Sequence, residues 1–254
     1  MQLFAMASAV LTIVAGTWVG QKLFRLSRRT GQAPERYIGI GMLSFGAVAY
    51  PLFLVLVLAG TSLSREVGIG VSIGANTAYI VCLLTTALFT RIVFRPTAAW
   101  SVLLVALIGV LGILGSGLTT WHTIVNPGIA RVSDPLSRVG SAMLSAAFAL
   151  GFCWTSIEAF LYRGALGKRL ALGLADPVVV NRFSVWAIGT AIACITDIGL
   201  ITTSLLGLNP ATNPLPPLLQ STSGLACTIT WTLTFAPSAA YLNWVRKRAG
   251  GATT

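Results

Sequence analysis

Seven apolar runs alternate with short polar connections along the chain, at residues 3–23, 37–60, 67–94, 98–118, 139–162, 183–206 and 218–244. A helix needs about 20 residues to cross a hydrocarbon core of about 30 Å, and each run reaches that length. The pattern predicts an all-α membrane protein, a seven-transmembrane-helix bundle forming a single domain over residues 1–254. The third and seventh runs exceed the minimum, which predicts tilt or projection beyond the core. The first run lacks a basic leader and continues to the positive cluster that begins at Lys22, so it reads as a retained helix rather than a signal peptide.

Composition agrees with the pattern. The 254 residues are 55% hydrophobic and 9% charged, with a mean hydropathy of +0.83; a soluble domain carries roughly 25% charged residues. Charge placement then adds an orientation. Lys22, Arg25, Arg28, Arg29, Arg36, Arg91, Arg95, Arg163, Lys168, Arg169, Arg182, Arg246, Lys247 and Arg248 fall on one side, 14 of the 17 basic residues, against Arg65, Arg131 and Arg138 on the other. The positive-inside rule predicts the N-terminus outside and the C-terminus cytoplasmic in a multi-pass cell (inner) membrane protein. Anionic lipids at the cytoplasmic face account for the net charge of +11 without a nucleic-acid partner. Trp18, Tyr37, Trp100, Tyr162, Trp186, Tyr241 and Trp244 fall near the basic ends and Trp121 near the opposite ones, as interfacial belts do.

The connections leave no room for a soluble domain, the longest being 119–138 and 163–182. Helix starts are punctuated by Pro34 with Glu35, Asp134 with Pro135, and Asp176 with Pro177, suited to capping and first-turn positions. The stretch 166–174, with Lys168 and Arg169 among leucines, reads as a short amphipathic turn on the inner interface, and 207–217, rich in proline, as a stiff outer loop or lid. Cys82, Cys153, Cys194 and Cys227 lie within runs and read as small apolar residues rather than a disulfide framework. The fourth run holds Gly109, Gly112, Gly115 and Gly117, a surface for close helix packing or for a membrane partner or homo-oligomer.

Chemistry concentrates in few places. Asp197 stands in the middle of run 183–206, and a carboxylate at mid-bilayer costs about 2.5–3.5 kcal/mol on insertion scales, so it is expected to face the bundle interior. Counted inward from the outer ends at 1.5 Å per residue, Tyr50, Asn76, Asp197 and Thr228 all lie about 14 Å deep. Asn76, Tyr79, Leu83, Thr86 and Thr90 share one helical face, Thr190, Asp197 and Ser204 a second, and Ser221, Thr228 and Trp231 a third. Asp197, Asn76, Tyr50, Tyr79, Thr228 and Trp231 are therefore the candidate ligand or proton site, with no Lys or Arg at comparable depth. Glu158, one turn from an inner end, is a candidate inner salt bridge or gate with Arg91 or Arg163, and Trp154 shares its face.

Residue supply counts against most enzymes. His122 is the single histidine and falls in an outer connection, which removes two-histidine haem and zinc hydrolase sites, and one intramembrane aspartate does not make an aspartyl protease dyad. Gly115, Ser116 and Gly117 lack the Gly-x-Ser-Gly order of an intramembrane serine protease, and no phosphate loop is present. Catalytic residues, metals and cofactors are not expected.

Seven helices with the N-terminus outside resemble G-protein-coupled receptors and microbial rhodopsins in topology, which by itself implies no function. Lys22, Lys168 and Lys247 are all at the inner face, where none serves a retinal Schiff base. The topology is also similar to the SWEET sugar transporters, with the apolar fourth run in the place of a linker helix and Arg36-Tyr37 echoed by Arg182-Phe183. The leading expectation is a receptor- or sensor-like protein binding a small, partly apolar ligand in an outward-facing intramembrane pocket. The alternative is a small-solute or proton-coupled transporter using Asp197, and the third is a non-catalytic membrane assembly subunit.

Overall fold

A computed structural model describes residues 2–59, 62–125, 134–210 and 212–250. Its elements are α1 Gln2–Thr30, α2 Ala33–Leu43, a π-helical segment Ser44–Ala49, α3 Tyr50–Ala59, α4 Arg65–Phe94, α5 Ala99–Val125, α6 Pro135–Ala171, α7 Pro177–Leu205, α8 Leu215–Phe235 and α9 Ala239–Gly250. The described residues contain no strand. Six helices are long and apolar enough to cross a membrane: α1, the continuous α2–π–α3 unit, α4, α5, α6 and α7. The chain is thus an all-helical, multi-pass membrane bundle. The helix α8 has 21 residues, about 31 Å, but Gln220, Ser221, Thr222 and Ser223 interrupt it, and it holds no membrane-length stretch as apolar as those of the six.

Several boundaries differ from the sequence pattern, each for a local reason. Past residue 23, α1 continues to Thr30, where Gly31 at φ 70° ends it; Arg28 lies over the Phe24 ring at 4.8 Å, its stem kept along the apolar surface. At its far end α5 runs on to Val125, so His122 is a buried helical residue and not part of a loop. The rest of the long connection, 126–133 with Arg131, lies outside the described residues. The stretch 166–174 is no separate interfacial turn: α6 is one helix of 37 residues through Ala171, about 55 Å long, and projects beyond any core of about 30 Å. The run 218–244 is broken. Pro237 disfavours helical backbone at Ala236, which sits at φ −138°, ψ 46°, so Tyr241 and Trp244 belong to α9. Pro216 and Pro217 open α8 instead of stiffening a loop. The capping acids sit where their spacing predicts: Asp134 Oδ2 accepts from Ser137 N at 2.7 Å and Asp176 Oδ1 from Val178 N at 2.8 Å.

The helices close into a ring, in which α1 packs on α2 and α8, α2 on α4, α4 on α5, α5 on α6, α6 on α7, and α7 on α8. Two seams depend on backbone approach. A Cβ on Gly46 would lie 2.8 Å from Thr17 N across the α1/α2 seam, and one on Gly115 2.6 Å from Gly140 O across α5/α6. Gly109 and Gly112 face Leu84 and Leu83 of α4, so three of the four glycines of α5 are spent on intrachain packing; Gly117 faces open space. Hydroxyls bridge other seams, with Thr90 Oγ1 and Thr155 Oγ1 2.8 Å apart between α4 and α6, and Ser156 Oγ donating to Ala187 O at 2.9 Å between α6 and α7. Along α7 and α8, Gly199 meets Leu219, Gly189 meets Thr230, and Asn181 Nδ2 donates to Tyr241 OH at 2.5 Å just past α8. The two helices therefore run antiparallel over their length, and α9 returns to the end where α7 starts.

Candidate functional site

Trp186, Thr190, Ala193 and Asp197 recur at helical spacing on α7 and are all buried, turned into the ring. Thr190 Oγ1 donates to Trp186 O at 2.8 Å and needs no further partner. Asp197 is different: it is 7% exposed and its Oδ2 is buried with no hydrogen-bond partner. Tyr79 of α4, Cys227 of α8 and Cys194 lie within electrostatic range of it, and none is a cation.

An aromatic cluster continues the site. Phe45 stands in the π-helical segment, its ring centroid 5.2 Å from Tyr50, 5.7 Å from Tyr79 and 5.6 Å from Trp231, and Tyr79 reaches Phe148 of α6 at 6.1 Å. The π turn explains the first contact. Tyr50 N–H bonds to Phe45 O, so side chains five residues apart meet, whereas an α-helix would set them about 140° apart. Pro51 has no N–H for the Ala47 carbonyl, and the widened turn relieves the misfit inside an otherwise regular helix.

Toward the basic end of the ring lies a cavity of about 40 Å³. Met42, Phe45, Thr86, Phe152, Trp186 and Trp231 are among the residues of its wall, which is drawn from α2, the π segment, α4, α6, α7 and α8. Its surface is almost wholly apolar. Asp197 stands two turns of α7 beyond Thr190 at the cavity wall, about 10 Å along the axis.

The ring thus gathers Asp197, Tyr50, Tyr79 and Trp231 of the six residues singled out by depth and spacing. It does not gather the other two. Thr228 shares a hydrogen bond of 3.1 Å with Thr12 in the α1/α8 seam, and Asn76 Nδ2 donates to Thr120 Oγ1 of α5 at 2.7 Å, facing outward from the ring. Trp186 is 4% exposed and walls the cavity instead of joining an interfacial belt. Sequence reasoning missed Phe45 and Trp186; the available signal for the former was Pro51 inside an apolar run.

At the basic end Glu158 accepts from Arg95 Nε at 2.7 Å and from Trp154 Nε1 at 3.3 Å. The partner is Arg95, not Arg91 or Arg163. Pro96 bars Arg95 from continuing α4, and the chain turns there at φ −138°, ψ 53°, which brings its guanidinium back over Trp100 at 6.0 Å and onto Glu158. Trp100 in turn packs against Trp154 at 5.9 Å. Arg163 Nε donates to Ser184 Oγ at 2.8 Å, and Arg91 Nε is buried without a partner. Because Glu158 is 5% exposed, removing its cation leaves a buried carboxylate with one N–H donor. We expect Arg95→Ala to lower the thermal unfolding midpoint more than Arg91→Ala, and Glu158→Gln to restore part of the loss when added to it. A double-mutant cycle reads the coupling, and an equal effect of the two arginine variants counts against the assignment.

Among the described residues no cluster of three His, Cys, Asp or Glu side chains has the arrangement of a metal site. Cys82, Cys194 and Cys227 are buried and free, and Cys153 is exposed and free. Comparison with family models, with curated proteins and with solved structures finds no match.

Proposed function

We propose that the chain is a seven-crossing, receptor- or sensor-like membrane protein that binds a small, largely apolar ligand at the centre of its ring, with Asp197 as the polar anchor. The observation that carries this reading is the apolar cavity shared by five of the ring's helices, with a buried carboxyl oxygen without a partner about 10 Å farther along α7 inside the same ring. About 40 Å³ takes little more than two or three waters, far below the roughly 300 Å³ of a drug-sized site. The ligand is therefore small, or its entry moves Phe45. The π segment supports such a movement, since π turns recur at functional positions in helices and this one carries the aromatic hub between Asp197 and the cavity. The cavity lies nearer the basic end, which favours access from that side over an outward-facing mouth.

The antiparallel register of α8 on α7 supports α8 as a seventh crossing, and the basic residues of α9 support a cytoplasmic C-terminus in the cell membrane with anionic lipids around them. Maleimide labelling of Lys247→Cys, reactive in inverted vesicles and silent in intact cells, tests the orientation.

Ligand binding is tested by thermal unfolding in nanodiscs with benzyl alcohol and cyclohexanol as probes. We expect a saturable rise in midpoint. Gly151→Ala places a methyl in the cavity wall at ordinary contact, 3.8 Å from Leu83 Cδ1. It should stabilise the ligand-free protein by about 0.5–1 kcal/mol through helix propensity, raising its midpoint, and reduce the probe-induced rise. Unchanged midpoints with every probe count against the reading.

A proton-coupled carrier is the second reading, favoured by the unpartnered Asp197 Oδ2 within the ring and the Arg95–Glu158 pair at its basic end. Solute-dependent acidification of proteoliposomes, absent in Asp197→Asn, is its signature. No observation favours the assembly subunit, because the glycines of α5 mostly serve packing within the chain.

A further inference from the structure

Outside the ring, between α4 and α5, runs an open groove of about 250 Å³ that shares no residue with the central cavity. Ile73, Ile80 and Ile124 flank it, and Trp121, 58% exposed, stands at its edge. Its floor is polar. Asn76 and Thr120 are tied by their 2.7 Å bond, but the Asn76 amide oxygen and the Thr77 hydroxyl have no partner among the described residues. Ser116, also in the lining and 3% exposed, has an unpartnered Oγ. Polar groups on a lipid-facing surface are costly unless something hydrogen-bonds them.

The occupant can be narrowed by charge and shape. No charged side chain lines the groove, so a charged headgroup finds no counterpart within it; Arg65, which donates to Ile124 O at 3.0 Å, stands at its end and not in its wall. The outward face of α5 carries Leu103, Leu107, Val110, Ile113, Leu114 and Trp121, all exposed and bulky, and among its glycines only Gly117 leaves an opening. On the measure that gives the central cavity two or three waters, the groove takes roughly 15–20, room for part of one alkyl chain.

We propose that this groove binds a single-chain, uncharged lipid of the monoacylglycerol kind, its hydroxyl or ester carbonyl bonded to Asn76 and Thr77 and its chain along the isoleucines. The residues involved do not touch the central cavity, so the two readings stand or fall separately.

The test uses full-length protein in phosphatidylcholine nanodiscs with 9,10-dibromostearoyl monoglycerol as a quencher, and Trp121 fluorescence isolated as the difference from Trp121→Phe. Saturable quenching is expected, displaced by unbrominated 1-monooleoylglycerol and not by phosphatidylglycerol. Gly117→Leu fills open space, should fold with an unchanged or higher midpoint, and should weaken binding at least tenfold. Thr77→Val should weaken it several-fold, and serves in its place if Gly117→Leu misfolds. Quenching that only follows bulk bromolipid content overturns the proposal. So does a Gly117→Leu variant that changes oligomeric state while quenching stays as in the parent chain, which would make the occupant a partner helix.

Discussion

Gly115→Ala should destabilise the bundle by about 3 kcal/mol, the upper part of the overpacking range, while Gly117→Ala two residues along the same helix should be neutral or stabilising by up to about 1 kcal/mol. The two glycines differ only in what they face. A Cβ at position 115 would lie 2.6 Å from both Gly140 O and Leu144 N, backbone atoms of α6 that no rotamer change can move. At position 117 nothing lies within 4 Å. Relief at 115 requires α5 and α6 to separate, and that loosens the packing of Leu118 and Thr119 around Gly140 as well. Reversible unfolding in mixed detergent micelles measures both variants. Equal effects at the two positions would mean that α5 does not sit on α6 in this register.

Asp197→Val should have the opposite sign, raising stability by about 2 kcal/mol, because it removes a carboxyl whose placement at mid-bilayer costs about 2.5–3.5 kcal/mol and which the protein does not hydrogen-bond. Valine is the apolar residue nearest in size, which limits overpacking. Asp197→Asn keeps shape and polarity and should leave stability within about 0.5 kcal/mol of the parent. In the same variants the benzyl alcohol response should fall at least tenfold for Asp197→Val. A group retained at a cost in stability, and needed for binding, is the expected trade at a functional position. If Asp197→Val instead destabilises by more than about 1 kcal/mol, the aspartate is a structural hydrogen-bonding residue.

The membrane class was legible in the chain because it needs only local information. Runs of about 20 apolar residues, 9% charged residues and a one-sided distribution of Lys and Arg follow directly from the bilayer as solvent. The caps at Asp134 and Asp176 were legible for the same reason, since the acid and its N–H donor lie within three residues. Helix ends were less so: α1 and α6 continue past the apolar runs because charged residues are as good helix formers outside the core as apolar ones are within it.

The candidate site was legible in part. Depth put Tyr50 and Asp197 at one level with Asn76 and Thr228, helical spacing added Tyr79 and Trp231, and the ring gathers Asp197, Tyr50, Tyr79 and Trp231. Depth alone does not say which way a face turns, and Asn76, at the same level and three residues from Tyr79, looks outward to Thr120. Arg91 and Arg163 were the partners the sequence offered Glu158; the turn at Arg95, forced by the proline after it, brings Arg95 there instead.

What the sequence by itself determined is therefore the solvent: a chain this apolar, with its cations on one side, belongs in a bilayer as helices, and an aspartate within it must be shielded. Which side chains meet was decided only by the tertiary structure. Contacts across helices depend on rotation and register, and these are set by glycine seams such as Gly115 on Gly140 and by one π turn that rotates Phe45 onto Tyr50, features whose effect is felt only when a second helix is in place.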